Sequence, residues 1–210
     1  MIIVTGSNGF IGSNLIRGLN KKGYTDIIAV DDHSREDLKE NIVHCNIREF
    51  IDIDDFLVMV QKEEIDKKNI SAIFHQGACS DTMEWDSEYL FKNNLLYSKE
   101  LLNLALRSKC PLIYASSASV YGGGEIFVES LENESPINLY AYSKFKFDQL
   151  VRKELSRSNT QIVGLRYFNV YGPNEQHKGK MASVAYHLHN QLKDGDKIKL
   201  FKGSDGYDDG

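Results

Sequence analysis

A doubly wound, parallel-sheet α/β fold is what this 210-residue sequence predicts, and three observations predict it. Short Ile- and Val-rich runs alternate with longer segments of helical periodicity. A glycine triplet, Gly6, Gly9 and Gly12, separates the first such run from the first helical segment. An aspartate, Asp31, ends the second run, 19 residues beyond Gly12.

The elements follow in order. IIVT (2–5) is a short apolar strand that runs into the glycine turn, and a helix over about 10–22 stops at Gly23, a fitting residue for the position after a helix end. DIIAVD (26–31) and NIVHC (41–45) read as the next strands, then a helix over about 53–66 and the strand SAIFHQ (71–76). The segment YLFKNNLLYSKELLNLALRS repeats apolar residues at helical spacing and predicts a helix over about 86–108. PLIYASS (111–117), a helix over about 140–157 and QIVGLRYF (161–168) complete the pattern. Right-handed crossovers between such units put helices on both faces of a parallel sheet. The last ten residues, FKGSDGYDDG, hold no closing element. The expected organisation is a domain over 1–168 and, over 169–210, the start of a second lobe that looks truncated.

Composition narrows the class. Hydrophobic residues at 41% and charged residues at 26% suit a globular domain. The formal charge is -5 with no basic run, which argues against a nucleic-acid surface. No apolar run is long enough to cross a bilayer, and MIIVTGSNG lacks the basic start of a signal peptide. Cys45, Cys79 and Cys110 are widely spaced and form no CxxC, so a reducing cytoplasm is expected, with no disulfide framework. Six histidines without HExxH spacing give no metal site.

Between a strand and an amphipathic helix, the glycine triplet takes on a specific meaning. Gly6 permits a tight turn, Gly9 lets the backbone approach a pyrophosphate, and Gly12 lets the helix pack closely. The helix N-terminus adds free N–H groups and a positive partial charge. The expectation is a Rossmann fold binding NAD(P). Asp31 is placed to accept a hydrogen bond from an adenosine ribose, which favours NAD. Asp32 adds a second carboxylate, and each would repel a 2′-phosphate by up to about 4 kcal/mol at 4 Å and an effective dielectric near 20. Arg35 and Lys39 follow at once and are able to cover a phosphate, so the residues alone leave the choice open, leaning towards NAD.

YAYSK places Tyr140 and Lys144 one helical turn apart. A lysine ammonium there is expected to favour the tyrosinate and lower its pKa from about 10. YASSASVYG puts Ser116 and Ser117 at a strand's C-terminal end, where open α/β sheets bind ligands. Other polar residues have plainer readings. His75 is a satisfied core histidine, Cys79 packs as a small apolar side chain, and Trp85 packs at a helix start. HKGKM (177–181) reads by spacing alone as a solvated loop.

The residues TGSNGFIG, SSASVYG, YAYSK and RYFNVYGP (166–173) resemble the short-chain dehydrogenase/reductase superfamily in its extended, nucleotide-sugar-modifying branch. Within that branch, FHQGACSDTMEWD and EQHKGKMASVAYHL resemble the ADP-heptose 6-epimerases over essentially the whole chain. That resemblance implies inversion at carbon 6 of an ADP-heptose through a transient ketone and a tightly bound NADP, for lipopolysaccharide heptose, in a cytoplasmic homo-oligomer. It implies that Tyr140 and Lys178 are acid/bases, that Lys144 binds the nicotinamide ribose, and that Ser117 holds the sugar oxygen. It places Gly6, Gly9, Phe10, Ile11, Gly12, Asp31, Asp32, Lys39, Gln76, Gly77, Ala78, Cys79, Ser80, Asn93, Lys144, Val170 and Lys178 at the cofactor. It places Asn169, Lys180, His187, Phe201, Lys202, Gly203 and Ser204, with Ser117, at the nucleotide-sugar. The chain departs from that pattern in having Asp32 for the usual Asn, Leu38 for a lysine that Lys39 adjoins, and Lys180 for a serine. The cofactor expectation is therefore NADP with NAD possible. The alternatives are another nucleotide-sugar epimerase or dehydratase, or a non-catalytic cofactor-binding module.

Overall fold

The computed structural model describes residues 1–65, 70–195, 197–200 and 202–203. Its strands are β1 (Ile2–Thr5), β2 (Ile27–Asp31), β3 (Glu49–Asp52), β4 (Ala72–His75), β5 (Leu112–Ser117) and β6 (Ile162–Tyr167). They form one parallel sheet in the order β3-β2-β1-β4-β5-β6. The order reverses between β1 and β4, so connections leave in opposite directions there and open a crevice at the strands' C-terminal ends.

Seven α-helices are described: α1 (Phe10–Lys21), α2 (Glu36–Lys39), α3 (Ile53–Gln61), α4 (Ser87–Leu90), α5 (Tyr97–Ser108), α6 (Leu139–Leu155) and α7 (Val184–Asp194). A π-helical stretch, Phe91–Leu96, joins α4 to α5 in one continuous rod. The chain divides into two compact units, Met1–Phe168 and Asn169–Gly210. The sheet and α1 to α6 belong to the first, and α7 to the second.

Strand alternation explains the two-faced core. Ile2 and Val4 of β1 point to one side, with Ile16, Ile27 and Ala29. Ile3 points to the other, with Phe56, Leu101, Leu104, Leu112 and Phe147 from α3, α5, β5 and α6. Each fully buried Val, Ile, Leu or Phe side chain among these contributes roughly 1.5–3 kcal/mol by leaving water.

Two expectations are corrected. NIVHC (41–45) is not a strand; a 3₁₀ turn at Glu40–Ile42 stands there, and the edge strand is EFID at Glu49–Asp52. Asn41 is the reason. Its amide donates to the Asn8 carbonyl at 2.8 Å and its own carbonyl accepts from Arg17 at 3.0 Å, which turns Ile42 into the cluster around α1. The helix expected over 53–66 ends at Gln61, because Glu63 takes a left-handed φ of 56°. The helix α7 and the short α2 carried no expectation.

Candidate active site

The glycine loop is built for close backbone approach. Gly6 has φ 67°, and a Cβ there would lie 2.5 Å from the Gly77 nitrogen; a Cβ on Gly12 would lie 1.9 Å from the Gly6 carbonyl oxygen. Gly12 thus packs α1 onto the loop itself. Helices α3, α4, α6 and α7 start on the side-chain caps Asp52, Asp86, Asn138 and Ser183. Helix α1 starts at Gly9 with no side-chain cap and no acidic residue in its first turn. Its first N–H groups remain available to an anion. Phe10 is buried and Ile11 half-buried beside them. Among the described residues, Asn8 Nδ2 and Gln76 Oε1 are buried without a partner at the same place. Uncapped N–H groups, backbone too close for a Cβ and orphaned polar atoms fit a dinucleotide.

Asp31 closes the loop from β2. Its Oδ2 accepts from the Asn8 N–H at 2.7 Å and its Oδ1 from the Asp32 N–H at 2.9 Å. Burial raises its pKa, against the pull of these N–H groups. Asp32 caps a turn by accepting from the Ser34 N–H at 2.8 Å. The two cations that follow are already paired, Arg35 in a fork on Asp37 at 2.8 and 2.9 Å, and Lys39 on Glu36. Such exposed pairs are weak, about 0–1 kcal/mol, and yield readily to a phosphate.

Gln76 to Ser80 form the loop after β4, where the Gly77 N–H points at Thr5 Oγ1 at 3.3 Å. Beneath it runs a buried chain. His75 Nδ1 lies 2.7 Å from Thr5 Oγ1 and His75 Nε2 lies 2.7 Å from Ser98 Oγ. Ser98 donates to the Asn94 carbonyl at 2.8 Å, so its oxygen accepts from Nε2–H and the imidazole is the neutral Nε2–H tautomer. Burial, helped by the Lys144 charge, pushes His75 down to about 3.

Asn94, not singled out from the sequence, ties this layer together. It is fully buried in the π-helical stretch. Its side chain accepts from the Cys79 N–H at 2.8 Å and donates to the Cys79 carbonyl and to Ser143 Oγ, both at 3.0 Å. The π-helical register turns Asn94 inward. Its neighbour Asn93 is half-buried and donates to the Tyr89 carbonyl at 2.8 Å. Cys79 is half-buried and its thiol is raised, chiefly by burial.

Ser117, Tyr140 and Lys144 come together at the C-terminal end of β5. The Ser117 hydroxyl stands beside the Tyr140 phenol and favours its phenolate, against the burial that disfavours it. The neighbouring Ser116 instead donates to Asp148 Oδ2 at 2.8 Å, beside Tyr114 on Oδ1. The second serine of the pair is held differently, its Oγ accepting from the Ser119 N–H at 3.2 Å and from Ser119 Oγ at 2.8 Å. Lys144 is buried, donates to the Ala115 carbonyl at 3.0 Å, and is lowered by burial to about 8. The expected depression of the tyrosine is corrected: burial raises the Tyr140 pKa, and the opposing pull comes from Ser117.

In the second unit, Asn169 and Val170 are exposed and Lys178 lies half-buried in the 3₁₀ turn Gln176–Met181. Burial lowers the Lys178 amine, while the Glu175 charge works against that. Glu175 is buried and closes the loop. Its Oε1 accepts from the Gly172 N–H and Ser183 Oγ–H, both at 3.0 Å, and its Oε2 from the Ser183 N–H at 2.6 Å. Lys180 is exposed, and His187 is half-buried in the first turn of α7. Lys202 is exposed and Gly203 half-buried. Phe201 and Ser204 lie outside the described residues.

A family model described as the NAD dependent epimerase/dehydratase family matches residues 2–208. The structure of Helicobacter pylori ADP-L-glycero-D-manno-heptose-6-epimerase is 35% identical, with 96% of this chain and 65% of that one covered and a TM-score of 0.82. UDP-glucose 4-epimerase from Thermotoga maritima, solved with UDP-glucose, is 26% identical over 98% of this chain and 66% of that one, at a TM-score of 0.77. UDP-glucuronic acid 4-epimerase from Bacillus cereus, solved with NAD, is 27% identical over 95% and 67%, at 0.73. The chain spans just under two-thirds of the length of the first two relatives, at 65% and 66%.

Proposed function

The chain belongs to the NAD dependent epimerase/dehydratase family, and from that premise we propose that it epimerises ADP-D-glycero-D-manno-heptose to ADP-L-glycero-D-manno-heptose at carbon 6 of the heptose. The observation that carries the reaction type is buried Lys144, held on the Ala115 carbonyl one helical turn from Tyr140, with Ser117 beside the phenol at the end of β5. The choice of heptose is supported by the 35% identity to the Helicobacter pylori enzyme and by the segment around Lys178. NADP is the proposed cofactor, with NAD possible. The proposed setting is a homo-oligomer in the cytoplasm supplying heptose for lipopolysaccharide.

The dinucleotide, when bound, supplies a hydride acceptor that becomes the hydride donor. The loop Gly6–Gly9, the start of α1 and Asp31 would hold its adenosine and pyrophosphate end, and Gln76 to Ser80 with Lys144 its nicotinamide end. Ser117 holds the oxygen on carbon 6 by a hydrogen bond. Tyr140, as the phenolate, takes the proton of that hydroxyl as carbon 6 loses hydride, which leaves a ketone on the sugar. The ketone then presents its other face, so its oxygen points in a new direction. Lys178, as the ammonium, gives that oxygen a proton as carbon 6 regains hydride.

The test is incubation of the chain and NADP with ADP-D-glycero-D-manno-heptose or with UDP-glucose, followed by proton NMR of the sugar. The L-glycero epimer is expected from the heptose and no epimer from the glucose. The opposite preference overturns the substrate assignment, and dinucleotide binding without turnover of either sugar overturns the reaction.

A further inference from the structure

On the epimerase reading above, we propose that His75 is a positioning residue: through the Thr5 hydroxyl it fixes the Gly77 end of the loop that receives the nicotinamide half of the dinucleotide. His75 takes no part in the proton steps. Its ring nevertheless lies at the centre of a buried polar chain that begins and ends on that loop.

The chain runs in one sense only. Ser98 directs its proton to the Asn94 carbonyl, so His75 Nε2–H donates to Ser98 Oγ and Nδ1 keeps a lone pair. The Thr5 hydroxyl donates to that lone pair at 2.7 Å. With its proton turned to the imidazole, the Thr5 oxygen presents lone pairs alone to the loop. The Gly77 N–H donates to it at 3.3 Å. Thr5, His75, Ser98 and Asn94 are all buried, so none of them can turn to water instead. Burial also keeps the imidazole neutral at neutral pH, which this sense of the chain requires.

The far end of the chain closes on the same loop. The Asn94 side chain holds the Cys79 N–H and carbonyl, and its amide also donates to Ser143 Oγ, next in sequence to Lys144. The loop is thus gripped at Gly77 from β1 and at Cys79 from the π-helical stretch, and His75 joins the two grips. The fit at Gly77 is close. A Cβ there would lie 3.0 Å from the Gly6 nitrogen and 3.2 Å from Thr5 Oγ1. The tilt of Gly77 against the glycine loop therefore sets the width of the cradle. A loop held this way before the dinucleotide arrives does not have to be ordered by it.

Two amides separate positioning from packing. Asparagine carries its amide at the level of Nδ1, and glutamine carries its amide at the level of Nε2. His75→Asn can still accept from Thr5, whereas His75→Gln reaches Ser98 and leaves Thr5 without its acceptor. Glutamine is the larger and fills more of the ring's space, so a merely structural role makes His75→Gln the milder change. Positioning makes it the more harmful one. NADP should bind about tenfold or more weakly in His75→Gln, and within about threefold of the unaltered chain in His75→Asn. Adenosine 2′,5′-bisphosphate, which lacks the nicotinamide half, should bind all three chains alike. With no ligand present, the Gly77 amide should exchange with D₂O about tenfold faster in His75→Gln and at an unchanged rate in His75→Asn. Unchanged NADP affinity or unchanged Gly77 exchange in His75→Gln overturns the proposal. Equal loss of both ligands, or a greater loss in His75→Asn, overturns it too. No sugar enters these measurements, so their failure leaves the turnover test of the epimerase reading untouched.

Discussion

Tyr140 stands under opposed influences, burial disfavouring its phenolate and the Ser117 hydroxyl favouring it. Removing the oxygen while keeping the ring separates chemistry from packing. Tyr140→Phe should lower kcat by about 10²–10⁴, the usual loss of an acid/base group, with unchanged circular dichroism and dinucleotide affinity. Turnover within a few-fold of the unaltered chain would remove Tyr140 from the mechanism. His75 makes a second, pH-dependent prediction. Its folded pKa of about 3 lies below the unfolded value near 6.5, so the unfolded chain takes up the proton first. Its contribution to stability is full above pH ~6.5 and is lost as pH falls towards 3, by an order of a few kcal/mol. Urea titrations should show a steeper acid loss in the unaltered chain than in His75→Gln; parallel curves would put the acid sensitivity elsewhere. Much of this site was legible because helical spacing fixes Tyr140 against Lys144. What stayed hidden has no local signature. Asn94 meets Cys79 fifteen residues away, and His75 meets Thr5 seventy residues away. The choice of Ser117 over Ser116 depends on Asp148, 32 residues downstream of Ser116.

Among the elements, the glycine turn and α1 were readable because the required backbone geometry excludes other residues. Gly12→Ala tests that directly. The added Cβ would sit 1.9 Å from the Gly6 carbonyl, so α1 must shift or the loop must open. The expected cost is about 1–3 kcal/mol, as for overpacked sites, with loss of dinucleotide binding beyond what stability explains. Gly18 lies in the same helix with open space around its Cβ position. Gly18→Ala should therefore bind cofactor normally and be more stable by up to about 1 kcal/mol. Thermal melts and fluorescence titration of NADPH read both variants, and equal behaviour of the two would refute the packing argument. The misread element, NIVHC, shows the limit of pattern. An apolar run fits a strand or a buried turn equally well, and Asn41 binding the Asn8 carbonyl decides it. The edge strand EFID was passed over because two of its four residues, Glu49 and Asp52, are acidic.

On the scale of the molecule, the proposed acid/bases belong to different compact units, Tyr140 to Met1–Phe168 and Lys178 to Asn169–Gly210. The dinucleotide cradle and Ser117 belong with Tyr140 in the first. Oxidation of one epimer calls on the first unit's groups, whereas net inversion calls on Lys178 as well. Lys178→Met keeps the length of the side chain and removes its charge and protons. It should reduce net epimerisation by about 10² or more, and dinucleotide affinity should persist through the glycine loop. One epimer should still be oxidised slowly, seen as absorbance of reduced nicotinamide near 340 nm without appearance of the other epimer. Equal loss of both half-reactions would place Lys178 in binding, and full epimerisation would remove it from the chemistry. Solvent deuterium supplies the complementary reading. Hydride that leaves carbon 6 and returns to it never meets water, so product formed in D₂O should carry no deuterium on the inverted carbon. Deuterium at that position would mean direct proton abstraction from carbon, and neither Tyr140 nor Lys178 would then have the role assigned to it.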